Sequence, residues 1–383
     1  MKNQVVTLAQ SYPVVAITGP RQAGKTTLAQ NTFPNKPYCN LEYPDVRLLA
    51  QSDPRRFLEQ FPTGAILDEI QRAPELLSYI QGRVDEVNQP GMFILTGSHQ
   101  LELHGAISQS LAGRVGLLSL LPLSIPELCA AGIELNLNDY LLTGFLPRIY
   151  DKKLDPTMVY RDYLKTYIER DVRQLINIKD LSTFQRFIKL CAGRVGTTLN
   201  MSNLANEIGT SHHTIKSWLS ILEASFIIFM LPPYFENFGK RIIKSSKLYF
   251  FDVGLAAYLL DIENIQQIDR DPLRGNLIEN LVVLELYKAR NNQGKDPHLY
   301  YYRDTQKNEV DVIYKQGNEL IPIEIKASQT MHPRFLDGLD YFMKITDNRS
   351  PYSFLIYAGD QEMQMGECYI LNYKNAYKAI AGE

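Results

Sequence analysis

At 383 residues the chain is too long for one ordinary core, and about 100–200 residues per domain predicts two to three. A composition of 45% hydrophobic and 21% charged residues is that of a soluble globular protein, and a formal net charge of −2 excludes a uniformly basic nucleic-acid binder while leaving local basic patches open. The four cysteines (Cys39, Cys129, Cys191, Cys368) form no CxxC pair, which excludes a zinc ribbon and points to a reducing compartment. The N-terminus has no signal-like apolar segment and the longest apolar run, 226–231, is too short to span a bilayer, so the expectation is a cytoplasmic protein with no membrane partner.

Residues 1–120 alternate helical stretches with short apolar runs at 14–18, 65–67, 92–96 and 115–121, the pattern of a parallel sheet covered on both faces. The first run enters Gly19-Pro20-Arg21-Gln22-Ala23-Gly24-Lys25-Thr26-Thr27, a complete GxxxxGK[ST]. Glycines there let backbone amides turn inward around phosphates, and the helix that follows adds its positive end. In such a loop Lys25 reaches the β- and γ-phosphates and Thr26 ligates Mg²⁺, so ATP with Mg²⁺ is the expected ligand. The second run ends in Asp68 and Glu69, one acid to hold Mg²⁺ and one to polarise the attacking water. That pair favours hydrolysis over transfer to a small molecule. The third ends in Thr96-Gly97-Ser98, where Thr96 or Ser98 can position water between the two acids, or Ser98 can cap a helix.

This order of loop, acidic strand, polar strand end, helix, arginine and strand resembles the AAA+ ATPases. The resemblance implies that Arg114, at the end of the helix before the fifth strand, reaches a neighbouring subunit's nucleotide, and hence a homo-oligomer; an arginine finger is worth about 10³–10⁵ in rate. The plainer reading is a surface arginine closing a helix C-terminus.

Residues 121–200 read as mainly helical. In 201–222, Leu204, Ala205 and Ile208 pack one helix, Gly209 turns, and Ile215, Trp218, Leu219 and Leu222 anchor a second, the helix-turn-helix pattern, leaving His212, His213, Lys216 and Ser217 exposed. Between apolar strands at 226–231 and 248–251 lies the stretch 239–247, with Lys240, Arg241, Lys244 and Lys247 and no acid, a basic wing suited to DNA phosphates; packing or subunit contact is the alternative.

From about 272 the order is helix, three strands (298–304, 309–315, 319–327), helix and strand (353–357). A turn at 317–318 makes the second and third strands neighbours, so Asp311 and Glu324 can share one Mg²⁺ or Mn²⁺, with Lys326 on the face of Glu324 and Glu279 completing the set from the helix. A half-exposed strand face carrying solvated charges is the plain reading. The segment resembles the PD-(D/E)xK nuclease fold, with Arg303 and Gln329 at its edge. The three modules together are similar to a prokaryotic ATPase family whose C-terminal domain is of unassigned function.

The expected architecture is therefore α/β. It comprises an AAA+ P-loop core at 1–125, a helical lid or linker at 126–200, a winged helix-turn-helix at 201–260 and a PD-(D/E)xK nuclease-like domain at 270–383. The expected activity is ATP hydrolysis on DNA with a metal-dependent nuclease domain. The rival is a nucleotide-gated DNA- or protein-binding switch whose nuclease-like domain is inert.

Overall fold

Five apolar or small residues in succession give Val14–Thr18 (β1) no face to show to water, and all five are buried. The computed structural model describes residues 1–98, 105, 107, 109–168, 181–235, 245–346 and 349–381. The chain divides into one unit of 1–122 with 224–226 and 292–294, and a second of 123–223, 227–291 and 295–383.

In the first unit β1 lies inside a five-stranded sheet with Tyr38–Asn40 (β2), Ile66–Asp68 (β3), Phe93–Thr96 (β4) and Val115–Ser119 (β5). The order is β2-β3-β4-β1-β5 and every pairing is parallel. Alternation along the strands feeds two cores. Val14, Ala16, Leu67, Phe93 and Leu95 pack on one side, Val15, Ile17, Ile66 and Ile94 on the other. This is the doubly covered parallel sheet expected from continuous apolar runs. Strand β2 was not expected; YCN has no apolar alternation and is a strand only because it pairs with β3.

The second unit begins with short helices, then Leu181–Ala192, Met201–Ile208 and His212–Ala224. Gly209 ends the second of these in the left-handed region (φ 78°), and Ser211 caps the third through the Thr214 amide (3.1 Å). Trp218 packs edge-on against Phe184 and Phe187, fixing the first and third helices together. Ile228–Leu231 (β6) and Lys247–Phe250 (β7) form an antiparallel ribbon behind them. The chain between the first two helices bridges β7 at Val195 and Thr198.

Helix Arg274–Asn292 leads into a mixed sheet of Leu299–Arg303 (β8), Glu309–Gln316 (β9), Glu319–Lys326 (β10), Ser353–Tyr357 (β11), Met363–Met365 (β12) and Cys368–Asn372 (β13). Its order is β12-β13-β11-β10-β9-β8, with helix Asp337–Ile345 crossing between β10 and β11. The β9–β10 turn is where the sequence puts it; the β12–β13 hairpin is additional. Backbone groups of the ribbon and of the residues after it are tied to this region. Asn280, fully buried on the long helix, donates to the Phe250 carbonyl (3.0 Å) and accepts from its amide (2.7 Å). Pro233 bridges Tyr301 of β8. No described helix is long and apolar enough to cross a membrane.

Candidate nucleotide site and a buried carboxylate cluster

The carboxyl ends of β1, β3 and β4 bring the first set of expected residues together. Three loop residues adopt positive φ, Gly19 (138°), Gln22 (62°) and Gly24 (92°), the backbone such a turn requires. Gly19 admits no side chain, since a Cβ would overlap the Leu120 carbonyl oxygen. Gly24 is the N-cap of helix Lys25–Thr32, so the helix begins where the loop closes. Lys25 is buried, and its Nζ donates to the carbonyls of Gly19 (3.0 Å) and Pro20 (2.7 Å). Burial lowers its ammonium to about 8, with Arg21 pulling the same way and Glu69 and Asp68 opposing.

Asp68, at the end of β3, is the centre of the polar set. Thr26 donates to it at 3.0 Å, Tyr38 at 2.8 Å, and Thr96, at the end of β4, also donates to it. The residue after it, Glu69, is in the left-handed region (φ 57°), which turns its side chain away from that of Asp68; Gln71 donates to one of its oxygens and Ser98 to the other at 3.4 Å. Thr96 and Ser98 thus divide between the two acids. The expected helix cap for Ser98 lies outside the described residues. Thr27 is exposed and Ala23 buried. Two participants escaped sequence reasoning: Tyr38, on the unrecognised β2, and Gln71, two residues beyond Glu69. The oxygen-only set of Thr26 and Asp68 fits a hard cation such as Mg²⁺.

Arg114 precedes β5. Its guanidinium forks onto both oxygens of Asp85 (2.5 and 2.9 Å) and donates to the Ala112 carbonyl (3.0 Å). The hydrogen bonds from Arg114 hold the Asp85 carboxyl below its ordinary value.

In the second unit, His212, His213 and Lys216 are exposed on helix His212–Ala224 and Ser217 is half-buried. Lys240, Arg241 and Lys244 lie outside the described residues. Lys247 corrects the expectation of a wing cation. It is 3% exposed, and its Nζ lies 3.0 Å from Glu279, 2.8 Å from Glu309 and 3.7 Å from Asp311. The strand pleat places Lys247 and Tyr249 on one face, and Tyr249 also donates to Glu279 (2.5 Å). Burial opposes the Lys247 charge, but Asp311, Glu279 and Glu309 outweigh it and raise the ammonium's pKa.

The expected metal ligands are therefore neighbours already engaged by protein. Asp311 accepts from the Ile325 amide (2.9 Å), and Arg303 lies 3.3 Å from Glu309. Lys326 pairs with one oxygen of Glu324, while the other oxygen is buried without a partner. Burial, then the proximity of Asp311, raises Glu279 to about 7 and Glu324 to about 8. Among the described residues no three His, Cys, Asp or Glu side chains are placed to hold a metal ion. The expected Mg²⁺ or Mn²⁺ set of Glu279, Asp311 and Glu324 does not fit a metal as it stands, because lysines supply the opposing charge. Gln329 is exposed.

Comparison with known proteins divides the chain into three family regions. Residues 11–129 match an AAA domain, 134–266 a domain of unknown function (DUF8612) and 274–376 a domain of unknown function (DUF4143). An uncharacterised protein of Mycobacterium tuberculosis is 31% identical over 320 residues, covering 83% of this chain and 71% of its own. One of Haemophilus influenzae is 23% identical over 386 residues, covering 90% and 89%. Among solved structures, a Walker-type ATPase of Pyrococcus abyssi aligns with a TM-score of 0.46 at 14% identity, over 67% of this chain and 94% of that one.

Proposed function

The chain belongs to the AAA+ ATPases that carry a C-terminal domain of unknown function (DUF4143), and on that premise we propose that it is an ATP-hydrolysing switch acting on DNA. The observation that carries the hydrolytic part is the convergence of Thr26, Tyr38 and Thr96 on Asp68, with Glu69 held apart by Gln71 and Ser98.

In this reading the loop residues 19–27 wrap the phosphates with backbone amides. Lys25 exchanges the Gly19 and Pro20 carbonyls for phosphate oxygens, which restores the charge that burial disfavours. Thr26 and Asp68 would hold Mg²⁺, which when bound neutralises charge on the phosphates. Glu69 accepts a proton from the attacking water once its carboxylate leaves Gln71. Arg114 acts on a neighbouring subunit's nucleotide after releasing Asp85, which makes the active form an oligomer.

For DNA the support is the helix-turn-helix geometry with Lys216 outward, backed by the cations at 240, 241 and 244 of the sequence. We assign 201–260 to a winged helix and 270–383 to a PD-(D/E)xK-like domain, and we favour the rival in which that domain does not cut DNA. The ion pairs on its carboxylates carry that preference.

ATP turnover by the full chain, with and without single-stranded, duplex and branched DNA, tests the proposal. Glu69→Gln should retain ATP binding and lose about 10²–10⁴ in turnover. Turnover by Glu69→Gln at the wild-type rate sinks the assignment. Gel shifts that are salt-insensitive, or unchanged by combined Lys216→Glu and Lys240→Glu, remove DNA as the partner.

A further inference from the structure

The carboxylate of Asp68 is gripped from both strands that flank β3. From β4, Thr96 Oγ1 donates to Oδ1; from β2, Tyr38 Oη donates to Oδ2 at 2.8 Å. Thr26 Oγ1, on the helix after the phosphate loop, lies 3.0 Å from each oxygen and so sits between them. The last side-chain torsion of an aspartate is broad, so a carboxylate held by one oxygen can still turn. A hydroxyl on each oxygen fixes its plane.

Of these donors Tyr38 is the one whose surroundings do not require the bond. Its side chain is 39% exposed, and a tyrosine at the surface can give its hydroxyl to water. Here the hydroxyl is turned inward, onto an acid that is 5% exposed. The backbone on either side of Tyr38 is pinned to β3. The Pro37 carbonyl accepts from the Ile66 amide (2.8 Å), and the Leu41 amide donates to the Asp68 carbonyl (3.0 Å). Tyr38 itself lies opposite Ile66, two residues short of Asp68. Two residues of strand rise about 6.6 Å, a gap that a phenol spans and the hydroxyl of a serine or threonine does not.

We propose that Tyr38 is a positioning residue for ATP hydrolysis: through Oδ2 it holds the Asp68 carboxylate in the orientation that receives Mg²⁺. This role rests on the ATPase reading of the site. It adds a residue that belongs neither to the phosphate loop nor to the acidic strand, but to an edge strand of three residues. Tyr38 acts through Asp68 and not on the reacting atoms.

The test is Mn²⁺ uptake by the full chain with ADP bound, read as the loss of free Mn²⁺ signal in electron paramagnetic resonance. ADP affinity in EDTA, measured by titration calorimetry, runs beside it. Tyr38→Phe keeps the ring and removes the hydroxyl. It should bind Mn²⁺ roughly tenfold more weakly, the low end of what a hydrogen bond to a charged group contributes, because Thr96 still holds Oδ1. Its ADP affinity in EDTA should match the parent's, and the Mg²⁺ needed for half-maximal ATP turnover should rise by the same factor as the Mn²⁺ constant. Tyr38→Ser, whose hydroxyl falls short of Asp68, should be as weak as Tyr38→Phe. Parent-like Mn²⁺ affinity in either variant overturns the proposal. So does an equal fall in metal-free ADP affinity, since Tyr38 would then support the loop as a whole. A parent that takes up no Mn²⁺ with ADP refutes the ATPase reading itself and the role of Tyr38 with it.

Discussion

Replacing Gly19 by alanine separates the two reasons for a glycine in the phosphate loop. Gly19 and Gly24 both have positive φ, 138° and 92°, so a side chain at either strains the backbone by on the order of 1–3 kcal/mol. Only Gly19 adds a collision, because its Cβ would overlap the Leu120 carbonyl oxygen, whereas at Gly24 it would meet nothing within 4 Å. Forcing a carbon into packed structure costs about 1–3 kcal/mol more. Gly24→Ala should therefore destabilise the nucleotide-free first unit by about 1–3 kcal/mol and Gly19→Ala by about 2–6 kcal/mol. The single tryptophan, Trp218, lies in the second unit, so fluorescence does not report this change. Hydrogen exchange of the β1 amides does, and the difference between the variants should appear there as roughly 5- to 150-fold faster exchange in Gly19→Ala. Equal protection in the two variants, or greater protection in Gly19→Ala, would refute the collision with Leu120.

Two further outcomes concern the second unit. Asn280→Leu strands both the amide and the carbonyl of Phe250, at about 1–3 kcal/mol each, so urea unfolding followed through Trp218 should show a loss of about 2–6 kcal/mol; a loss below about 1 kcal/mol would mean that water replaces the amide. The pH dependence follows from carboxyls raised from an ordinary value of 4.5, Glu279 to about 7 and Glu324 to about 8. A raised carboxyl binds its proton more tightly when folded, so its contribution is fully present below about 4.5 and is lost as pH rises through 7 and 8. Unfolding midpoints of the second unit should fall across that window and flatten in Glu279→Gln/Glu324→Gln; a rise with pH would contradict the buried placement of both.

What the sequence made legible was whatever depends on local pattern. The run Val14–Thr18 and the glycine spacing after it fix a strand and a phosphate loop without knowledge of any other segment. The β9–β10 hairpin was legible for the same reason, two strands flanking a glycine. Tyr38 was not, because β2 has only three residues and exists through its pairing with β3. Lys247 was misassigned because a lysine at the end of a cationic run reads as part of that run. The contrary signal was the pattern Lys247-Leu248-Tyr249-Phe250, a strand buried on both faces, which requires its lysine to find carboxylates. Those carboxylates lie 32 to 64 positions further on, beyond any local window.

The ties made by Lys247 and Asn280 cross the line between the two regions of unknown function, 134–266 and 274–376. Inheritance feels this as much as folding does. A chain ended between them would leave an ammonium buried with no counter-charge and the Phe250 backbone unpaired. The complementary piece would keep Glu279, Glu309 and Asp311 with their principal cation gone. Recombination that exchanged either region alone would meet these losses at once, so the two are expected to descend together, with changes at 247 answered at 279, 309 or 311.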